Sequence, residues 1–326
     1  MQDNRPIDMQ ALRVFLATAQ DCNMSKAGER LGISQSAVSQ SVRTLEESFG
    51  TPLLNRSARP LTLTPAGMAL FNRGQMLMNE ALNLRGAVIE ASQGIKPSLR
   101  IGIVDSCAAT CGTQLVHQLL RNTAQLSLRT GLTPALGEAL ARRELDLVIT
   151  TRSLDLEGLA NHALMSERFF IISPRQGAPV CNSTEDLMAL SRTLPIVRFN
   201  QQSHLGAQAE RALRRLGLSP ARRLEVDTAD TLTAMVAGGV GWSVTTPLCL
   251  LQGGRSATAV RHDLVPELHA ERTLYLHARK GEYDSLAQET FEMVRIILQD
   301  HVSRELAAIN DALPGLITIH PWKDNA

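Results

Sequence analysis

Net charge is nearly absent from this sequence. Its 326 residues include 33 lysines and arginines against 32 aspartates and glutamates, which leaves a formal net charge of +1 at pH 7. So small a charge excludes a broad basic field that would draw the whole chain onto nucleic acid. Any affinity for DNA must therefore come from a few placed contacts, doubled in a dimer or a larger assembly.

The sequence also lacks the features of an exported or membrane-bound protein. It begins MQDNRPIDMQALRVFL, without the basic start, apolar core and small-residue cleavage site of a signal peptide, and no apolar stretch reaches the length of a membrane span. Its 5 cysteines are an odd number without a regular framework, which is typical of a reducing compartment. We expect a cytoplasmic protein with no membrane partner.

Two of the cysteines, Cys107 and Cys111, are four residues apart and would face the same side of a helix. This spacing leaves two interpretations open. One is a redox pair or half of a metal site, and the other is a pair of small side chains that packs a helix onto a sheet. Whether these cysteines are redox active is not decided by the sequence.

Motifs of common catalytic and cofactor sites are missing as well. The sequence contains no HExxH, no Walker sequence, no cysteine pairs with zinc spacing and no GxSxG. The glycines of GGVGW (238–242) follow a predicted helix and precede a predicted strand, which reverses the order found in a dinucleotide fingerprint. We therefore expect no enzyme, no catalytic residue, no cofactor and no metal site.

What the sequence does contain is a helix-turn-helix pattern from Asn23 to Phe49. The segment reads NMSKAGERLGISQSAVSQSVRTLEESF, which predicts a helix, a glycine turn and a second helix. Two short helices that meet at a steep angle need a small residue at their close approach, a turn residue that tolerates positive φ, and an apolar anchor from the second helix. Gly28, Gly32 and Val38 supply these three.

The second predicted helix presents hydrogen-bonding side chains outward. Serine and glutamine have the size and the donors and acceptors that read base edges in a major groove. Polar helix residues are also often merely solvated, so the segment by itself favours DNA binding but also fits a helical hairpin that binds no nucleic acid. The candidate DNA-binding residues of this helix are Ser34, Gln35, Ser36, Ser39, Gln40 and Arg43.

The next segment predicts a two-stranded wing beside that helix. It reads TPLLNRSARPLTLTPAG from Thr51 and alternates apolar and polar residues around a basic tip. It ends at Thr64 and Pro65, a helix cap followed by proline at the first helical position. Arginines at a wing tip suit contacts with phosphates or the minor groove, so Arg56 and Arg59 are further candidates for DNA binding.

From Ile7 to Gly67 these patterns together resemble the winged helix-turn-helix of the LysR-type transcriptional regulators. The resemblance covers essentially every position of the family's signature and implies a sequence-specific regulator of transcription that binds double-stranded promoter DNA. The family usually has proline where this chain has Ser36, often arginine at Gln40 and often phenylalanine at Met24. The first two departures lie on the reading face, so they leave operator preference open.

A long helix is predicted after the wing, from Pro65 to about Ser92. Its apolar residues recur in alternating steps of four and three, the spacing of a coiled-coil seam. This seam fits either pairing with a second subunit or packing within its own domain, and the resembling family uses the equivalent helix for dimerisation. We expect a homodimer through this helix, and the resemblance implies a homotetramer. The seam consists of Leu70, Gly74, Leu77, Ala81, Leu84, Val88 and Ala91.

Beyond SQGIKPS (92–98), which we predict to be a hinge, strands and helices alternate. Alternation of this kind predicts a parallel sheet with helices on both faces. The order and spacing of these strands and helices resemble those of the effector domain of the same family, which is similar in fold to the periplasmic binding proteins. The expected fold class is thus α/β, with an N-terminal winged helix-turn-helix, a long linker helix and a two-lobed α/β effector domain.

The expected domain boundaries follow from these segments. They are 1–64 for the DNA-binding domain, 65–98 for the linker helix and hinge, 99–300 for the effector domain (first lobe 99–167 and 272–300, second lobe 168–271), and 301–326 for a C-terminal tail without an assigned role.

Ligands of open α/β sheets bind beyond the carboxyl ends of strands, where helix N-termini present free N–H groups. Here Ser106 ends the first predicted strand, Thr133 lies between the second strand and its helix, and Ser203 precedes a helix. Such groups suit a small organic acid, most simply a carboxylate, although each also fits a helix cap that binds nothing. The resemblance implies effector contacts at these three residues. Gln202, His204, Thr228 and Thr246 are further candidates only because they lie near the predicted strand ends and helix starts.

Two functions of different classes remain. One is a transcription regulator in which a ligand of the lobes changes the arrangement of the DNA-binding heads. The other is a small-molecule binding module whose N-terminal region serves only for oligomerisation. The basic wing tip and the amide-bearing reading face favour the first.

Overall fold

The computed structural model describes residues 6–58, 60–93, 98–220 and 224–323. The chain divides into two units, residues 1–94 with 142–144 and residues 95–141 with 145–326. Each unit has its own hydrophobic core.

The first unit is a helical domain with a small wing. Three helices come first, then a two-stranded antiparallel ribbon and a helix of 29 residues. Their bounds are α1 Met9–Asp21, α2 Met24–Leu31, α3 Gln35–Phe49, β1 Leu54–Asn55, β2 Thr62–Leu63 and α4 Pro65–Gln93. Buried apolar side chains of α1, α3 and the wing form the core, among them Leu12, Phe15, Val42, Leu45 and Leu53.

The turn between α2 and α3 confirms the three predicted roles. Gly32 ends α2 with a φ of 69°, in the left-handed region that favours glycine. A Cβ on Gly28 would lie 2.8 Å from the carbonyl oxygen of Ile33, so the chain after the turn approaches α2 too closely for a side chain. Val38 is buried in the core. Ser34 begins α3 as its N-cap, because its hydroxyl accepts a hydrogen bond from the Ala37 amide at 3.2 Å.

Replacing Gly28 with alanine should destabilise the first unit by about 1–3 kcal/mol, because the new methyl group forces backbone to move rather than a flexible side chain. Replacing Gly32 with alanine is the matched control, since nothing lies within 4 Å of its Cβ position. That change should cost only the left-handed strain, about 1 kcal/mol. Thermal unfolding would measure both, and a Gly28→Ala protein as stable as wild type would contradict the close approach.

The wing is attached to α3 by the carboxylate of Glu46. One of its oxygens accepts hydrogen bonds from the amides of Leu53, at 2.9 Å, and Leu54, at 3.2 Å. The predicted cap of the last helix is also present, since the Thr64 hydroxyl accepts from the Gly67 amide at 3.0 Å and α4 begins at Pro65. The strand ends are therefore held by side chains, and the two short strands need little pairing of their own.

The apolar stripe of α4 divides into two parts. Leu70 packs against the core of the first unit, and a Cβ on Gly74 would lie 2.8 Å from Leu12, so both belong to this unit's own packing rather than to a free seam. Leu77, Leu84 and Val88 are instead exposed. The side chain of Ala91 and the hinge residues 94–97 lie outside the described residues.

The second unit is built from two α/β lobes. Its strands are β3 Leu99–Ile103, β4 Leu126–Thr130, β5 Leu147–Thr150, β6 Leu159–Arg168, β7 Phe170–Pro174, β8 Arg198–Phe199, β9 Glu225–Val226, β10 Ser243–Thr245, β11 Val260–Asp263, β12 Glu271–Arg279 and β13 Ile317–Ile319. Its helices are α5 Asp105–Leu119, α6 Thr133–Ala141, α7 Thr184–Thr193, α8 His204–Arg215, α9 Ala229–Ala237, α10 Pro247–Gln252, α11 Asp284–Ile297 and α12 Ser303–Ile309.

The first lobe contains a six-stranded sheet in the order β13-β6-β12-β5-β3-β4, and the second contains a three-stranded sheet in the order β10-β7-β11 together with the pair β8-β9. The predicted parallel arrangement is correct for β3, β4 and β5 and for the β8-β9 pair. It is wrong for β7 and β10 of the second lobe, which run antiparallel to each other, and β6, β12 and β13 of the first lobe also run antiparallel to their neighbours. The chain leaves the first lobe along β6 and returns along β12, so no crossover helix aligns these strands.

The first predicted strand, LRIGIVDS, is shorter than expected. It ends at Ile103, and Val104 with extended backbone is the N-cap of α5. Asp105 and Ser106 therefore lie in the first turn of this helix, which continues to Leu119. The run of small residues after Asp105 is compatible with both conformations, and packing of α5 on the sheet decides between them.

The segment 301–323, to which the sequence assigned no role, belongs to the first lobe. Strand β13 pairs with the edge strand β6, and Leu313 and Leu316 are buried. Farther on, the Trp322 ring stacks on His162 with ring centroids 3.8 Å apart. It also meets the Phe291 ring edge-on. The segment covers a sheet edge that would otherwise expose unpaired backbone groups.

No helix in the described part of the chain has both the length and the apolar character that a membrane crossing needs.

Candidate functional site: a recognition helix and an interlobe cavity

The outer face of α3 presents the predicted reading residues unequally. Gln35, Ser36 and Gln40 are exposed, whereas Ser39 is half-buried. The Ser34 hydroxyl already caps the helix and lies 2.8 Å from the Ser36 hydroxyl, so it first positions the helix start. The exposed amides therefore offer the free donors and acceptors of this face.

The predicted basic contacts have partners within the first unit. Arg43 pairs with Glu47 one turn along α3, at 3.0 Å, and both side chains remain largely exposed. Arg56 pairs at 2.9 Å with Glu46, the carboxylate that also holds the wing strands. This pair fixes the arginine at the wing with part of its guanidinium still open to solvent. Arg59 lies outside the described residues.

A cavity of about 290 Å³ lies between the two lobes of the second unit. Four helices direct their N-terminal ends at it: α5 and α6 from the first lobe, α8 and α9 from the second. Each N-terminus carries amide N–H groups without helical partners and a partial positive charge. The arrangement can therefore hold a small anion without a large net charge on the protein.

Six of the seven predicted effector residues line this cavity, and Thr246 does not. Thr246 is the N-cap of α10 and is fully buried, whereas this helix contributes Cys249 and Gln252 to the lining instead. The six that line the cavity are Ser106, Thr133, Gln202, Ser203, His204 and Thr228.

Several of these residues have caps or bonds of their own. The Ser203 hydroxyl accepts from the Gly206 amide at 3.0 Å and caps α8, as the alternative interpretation of this residue expected. The Thr228 hydroxyl donates to Thr231 at 2.9 Å. These bonds set the helix ends in place around the cavity.

A chain of polar groups connects the two lobes across the cavity. The Thr133 hydroxyl lies 3.1 Å from that of Thr151 and accepts from the Thr151 amide at 3.2 Å. Thr151 in turn lies 3.3 Å from Nδ1 of His204. Burial, together with the nearby charges of Arg152 and Arg211, lowers the pKa of His204. At neutral pH this imidazole is therefore uncharged.

Sequence reasoning missed the charged floor of the cavity. Arg272, at the start of β12, is 3% exposed and lines the cavity. Its Nη2 donates to the Ser106 hydroxyl at 2.9 Å, and its Nε donates to Glu167 on the neighbouring strand β6. The available signal was an arginine at the start of the predicted strand RTLYLHAR, but only the tertiary structure brings it beside Ser106.

Cys107 and Cys111 lie on the buried face of α5, each 1% exposed. The hydrogen bond with the Cys111 thiol, followed by burial, holds the pKa of Cys107 well above its ordinary value. A thiol held neutral and away from solvent reacts slowly. The geometry agrees with the interpretation of two small side chains that pack the helix onto the sheet.

Two family models match the chain. That of the bacterial regulatory helix-turn-helix protein, lysR family, matches residues 9–68, and that of the LysR substrate binding domain matches residues 92–295. The chain belongs to the LysR family of transcriptional regulators. This LysR-family protein is a DNA-binding regulator with an effector-binding domain, and it is not an enzyme.

Relatives of this LysR-type regulator are similar over most of their length. The uncharacterized HTH-type transcriptional regulator YfeR of Shigella flexneri is 29% identical over 290 residues, which cover 88% of this chain and 93% of the relative. The HTH-type transcriptional regulator GltR of Bacillus subtilis is 28% identical over 240 residues, 73% of this chain and 79% of the relative.

Solved structures of similar fold include full-length LysR regulators. A full-length OxyR variant from Pseudomonas aeruginosa has a TM-score of 0.64 at 19% identity and covers 99% of this chain and 100% of that one. The LysR family transcriptional regulator CbnR also has a TM-score of 0.64, at 18% identity, and covers 89% of this chain and 99% of its own. The predicted fold class is confirmed.

Proposed function

We propose that a small effector bearing a carboxylate binds between the two lobes and switches the activity of this regulator at promoter DNA. The observation that carries the proposal is the convergence of four helix N-termini on one cavity. Each terminus favours a negative ligand group, and hydroxyls of Ser106, Thr133 and Ser203 stand at three of them.

In this proposal, α3 and the wing contact the DNA. Gln35, Ser36 and Gln40 read base edges, with Ser39 at the margin of the contact and Ser34 as the cap that positions the helix. Arg43, Arg56 and Arg59 contribute phosphate or minor-groove contacts. In support, the related regulator CbnR has been crystallised in complex with its target DNA.

The remaining parts of the proposal concern assembly. Residues 1–64 form the DNA-binding domain, 65–98 the dimerising linker and hinge, and the segments from residue 99 onward the effector domain. A homodimer through α4, assembled further into a tetramer, places recognition helices at two half-sites. An effector with different affinity for two assembly states shifts their populations, and a coupling of about 1–3 kcal/mol suffices.

A binding module that uses its N-terminal region only for oligomerisation is the second candidate function. Membership of the LysR family does not favour it. A gel-shift experiment with the purified protein and the DNA upstream of its own gene distinguishes the two, because a pure binding module would retain no specific band over scrambled duplex.

Replacing Gln35 with alanine should weaken binding at the specific operator by about 1–3 kcal/mol while leaving binding to random DNA unchanged, because an amide read-out acts on base edges. Gln10→Ala on α1 is the matched control, since Gln10 is also exposed and lies outside the reading face. Gel-shift titrations against operator and scrambled duplex would measure both. An equal loss on the two duplexes would contradict the base-reading role.

Replacing Thr133 with valine should reduce the ligand response without reducing operator affinity, because the hydroxyl faces the cavity and the DNA contacts lie in the other unit. The measurement is the rise in melting temperature with a panel of small carboxylates, followed by gel shift with the active one. Thr130→Val is the control, since Thr130 is exposed on β4 outside the cavity. A Thr133→Val protein that responds as wild type would remove this residue from the site.

A further inference from the structure

We infer that Arg272 is the residue that binds the negative group of the effector, with Glu167 as the carboxylate that keeps this buried arginine neutralised until the ligand arrives. This inference rests on the proposed binding of a carboxylate between the lobes. It adds a determinant of specificity to the helix N-termini, which attract any anion.

The guanidinium of Arg272 has one nitrogen left for a ligand. Its Nε donates to Glu167 and its Nη2 donates to Ser106. The structure shows no hydrogen bond from Nη1 to any described residue, and the side chain, which is 3% exposed, lines the cavity. A charged N–H group at the wall of a cavity can donate to a bound ligand, so an acceptor from that ligand would complete the set of bonds around this guanidinium.

The Ser106 hydroxyl supplies a second donor next to the Arg272 guanidinium. An arginine can only donate, so the Ser106 oxygen is the acceptor in its bond with Arg272, and its own hydroxyl proton can be donated either to the nearby Cys249 sulfur or to a ligand. Because Ser106 is bonded to the guanidinium, Nη1 and this hydroxyl are neighbouring donors, and both residues line the cavity. Two adjacent donors, one of them charged, match the two oxygens of a single carboxylate.

Glu167 balances the charge of the buried Arg272 guanidinium. It is 0% exposed, and it also accepts from the Leu248 amide at 2.9 Å. Burial raises the pKa of the nearby Cys249 thiol, so this thiol is neutral and does not serve as the counter-charge. Arg272 and Glu167 are direct cross-strand neighbours on β12 and β6, the two strands by which the chain passes between the lobes.

The charges around the cavity therefore have separate roles. The buried pair of Arg272 and Glu167 has no net charge, while Arg152 and the carboxylates of Asp105 and Asp227 are exposed where they line the cavity. Exposed charges are screened by water and salt, whereas a buried guanidinium is not. Removal of the Glu167 charge should thus strengthen anion binding, and removal of both buried charges should weaken it.

Acetate, with uncharged acetamide as its isosteric control, is a suitable probe for this pair. The full-length protein is titrated at constant ionic strength, and the melting temperature gives the apparent affinity by mass action. For wild type we expect a rise with acetate and none with acetamide. The double variant Glu167→Gln/Arg272→Met should bind acetate at least about tenfold more weakly, the weakening expected for one lost hydrogen bond to a charged group.

Two further variants test whether the weaker acetate binding is due to Arg272 itself. Glu167→Gln alone should bind acetate more tightly than wild type, because the guanidinium then lacks its counter-charge. Arg152→Met removes an exposed arginine from the same cavity and should change the affinity by less than about fivefold. A purely structural role of the buried pair would instead weaken acetate binding in both Glu167→Gln and the double variant.

The outcomes separate the two proposals. If wild type responds to acetate no more than to acetamide, the proposed carboxylate effector fails and this inference fails with it. If wild type responds and the double variant responds equally, only the role of Arg272 is overturned. Should the double variant not unfold cooperatively, Arg272→Lys replaces it, because lysine keeps the charge beside Glu167 but lacks the planar fork, and about tenfold weaker acetate binding is again expected.

Discussion

Replacing Leu84 and Val88 together with glutamate should lower the affinity for an operator with two half-sites by about 10²–10⁴-fold, the contribution of joining two DNA-binding heads. These side chains are 67% and 63% exposed in the single chain, an unusual position for two large apolar residues one turn apart on a helix. Such exposure in a single subunit is expected of residues that pack against a second subunit in a dimer. Charges there would repel each other across a symmetric interface.

Sedimentation velocity measures the loss of the dimer directly, and gel shift measures its consequence for DNA. Asn72→Glu is the control on the same helix, since Asn72 is exposed but two residues beyond the seam position Leu70, on the opposite side of the helix. It should leave both measurements unchanged. A Leu84→Glu/Val88→Glu protein that sediments as wild type would show that α4 does not hold the subunits together.

Replacing Leu313 with alanine should lower the free energy of unfolding of the second unit by about 2–5 kcal/mol, as expected for a leucine in a core that cannot collapse around the gap. Leu313 is 0% exposed and lies in the segment that leads to β13. The effect would be comparable with that of a substitution in the central sheet. The C-terminal segment is thus predicted to be a structural part of the lobe rather than an appendage.

Asp311→Ala provides the comparison, because Asp311 is exposed two residues earlier and its removal should change stability by no more than about 0.5 kcal/mol. Denaturant unfolding of both variants, followed by a signal from the second unit, tests the difference. Equal stability of Leu313→Ala and wild type would mean that β13 and the residues around it contribute nothing to the fold.

The helix-turn-helix was predictable because its constraints are local. Gly28, Gly32 and Val38 act within one turn and two short helices, so their spacing along the chain is also their arrangement in space. The Thr64 cap and Pro65 are of the same kind. Such local signals can be recognised in the sequence without knowing which distant segments pack together.

The cavity was only partly predictable. Ser106, Thr133 and Ser203 were found because residues at strand ends and helix starts of an α/β sheet tend to meet at one edge. Thr246 was included by the same argument and does not line the cavity, since the argument does not say which strand ends converge. Arg272 was missed because its partners Ser106 and Glu167 are far away in sequence, and only the folded chain brings them together: pairing of β6 with β12 places Glu167 opposite Arg272, and α5 carries Ser106.

By itself the sequence determined the family, the winged helix-turn-helix, the polar reading face and the alternation of strands and helices, all of which depend on residues close together along the chain. Only the tertiary structure decided the antiparallel course of β6 and β12, the placement of 301–323 on the sheet edge and the buried charges under the cavity. These depend on which distant strands pair. Backbone hydrogen bonds are the same for every residue type, so the choice of partner is made by packing of the whole domain.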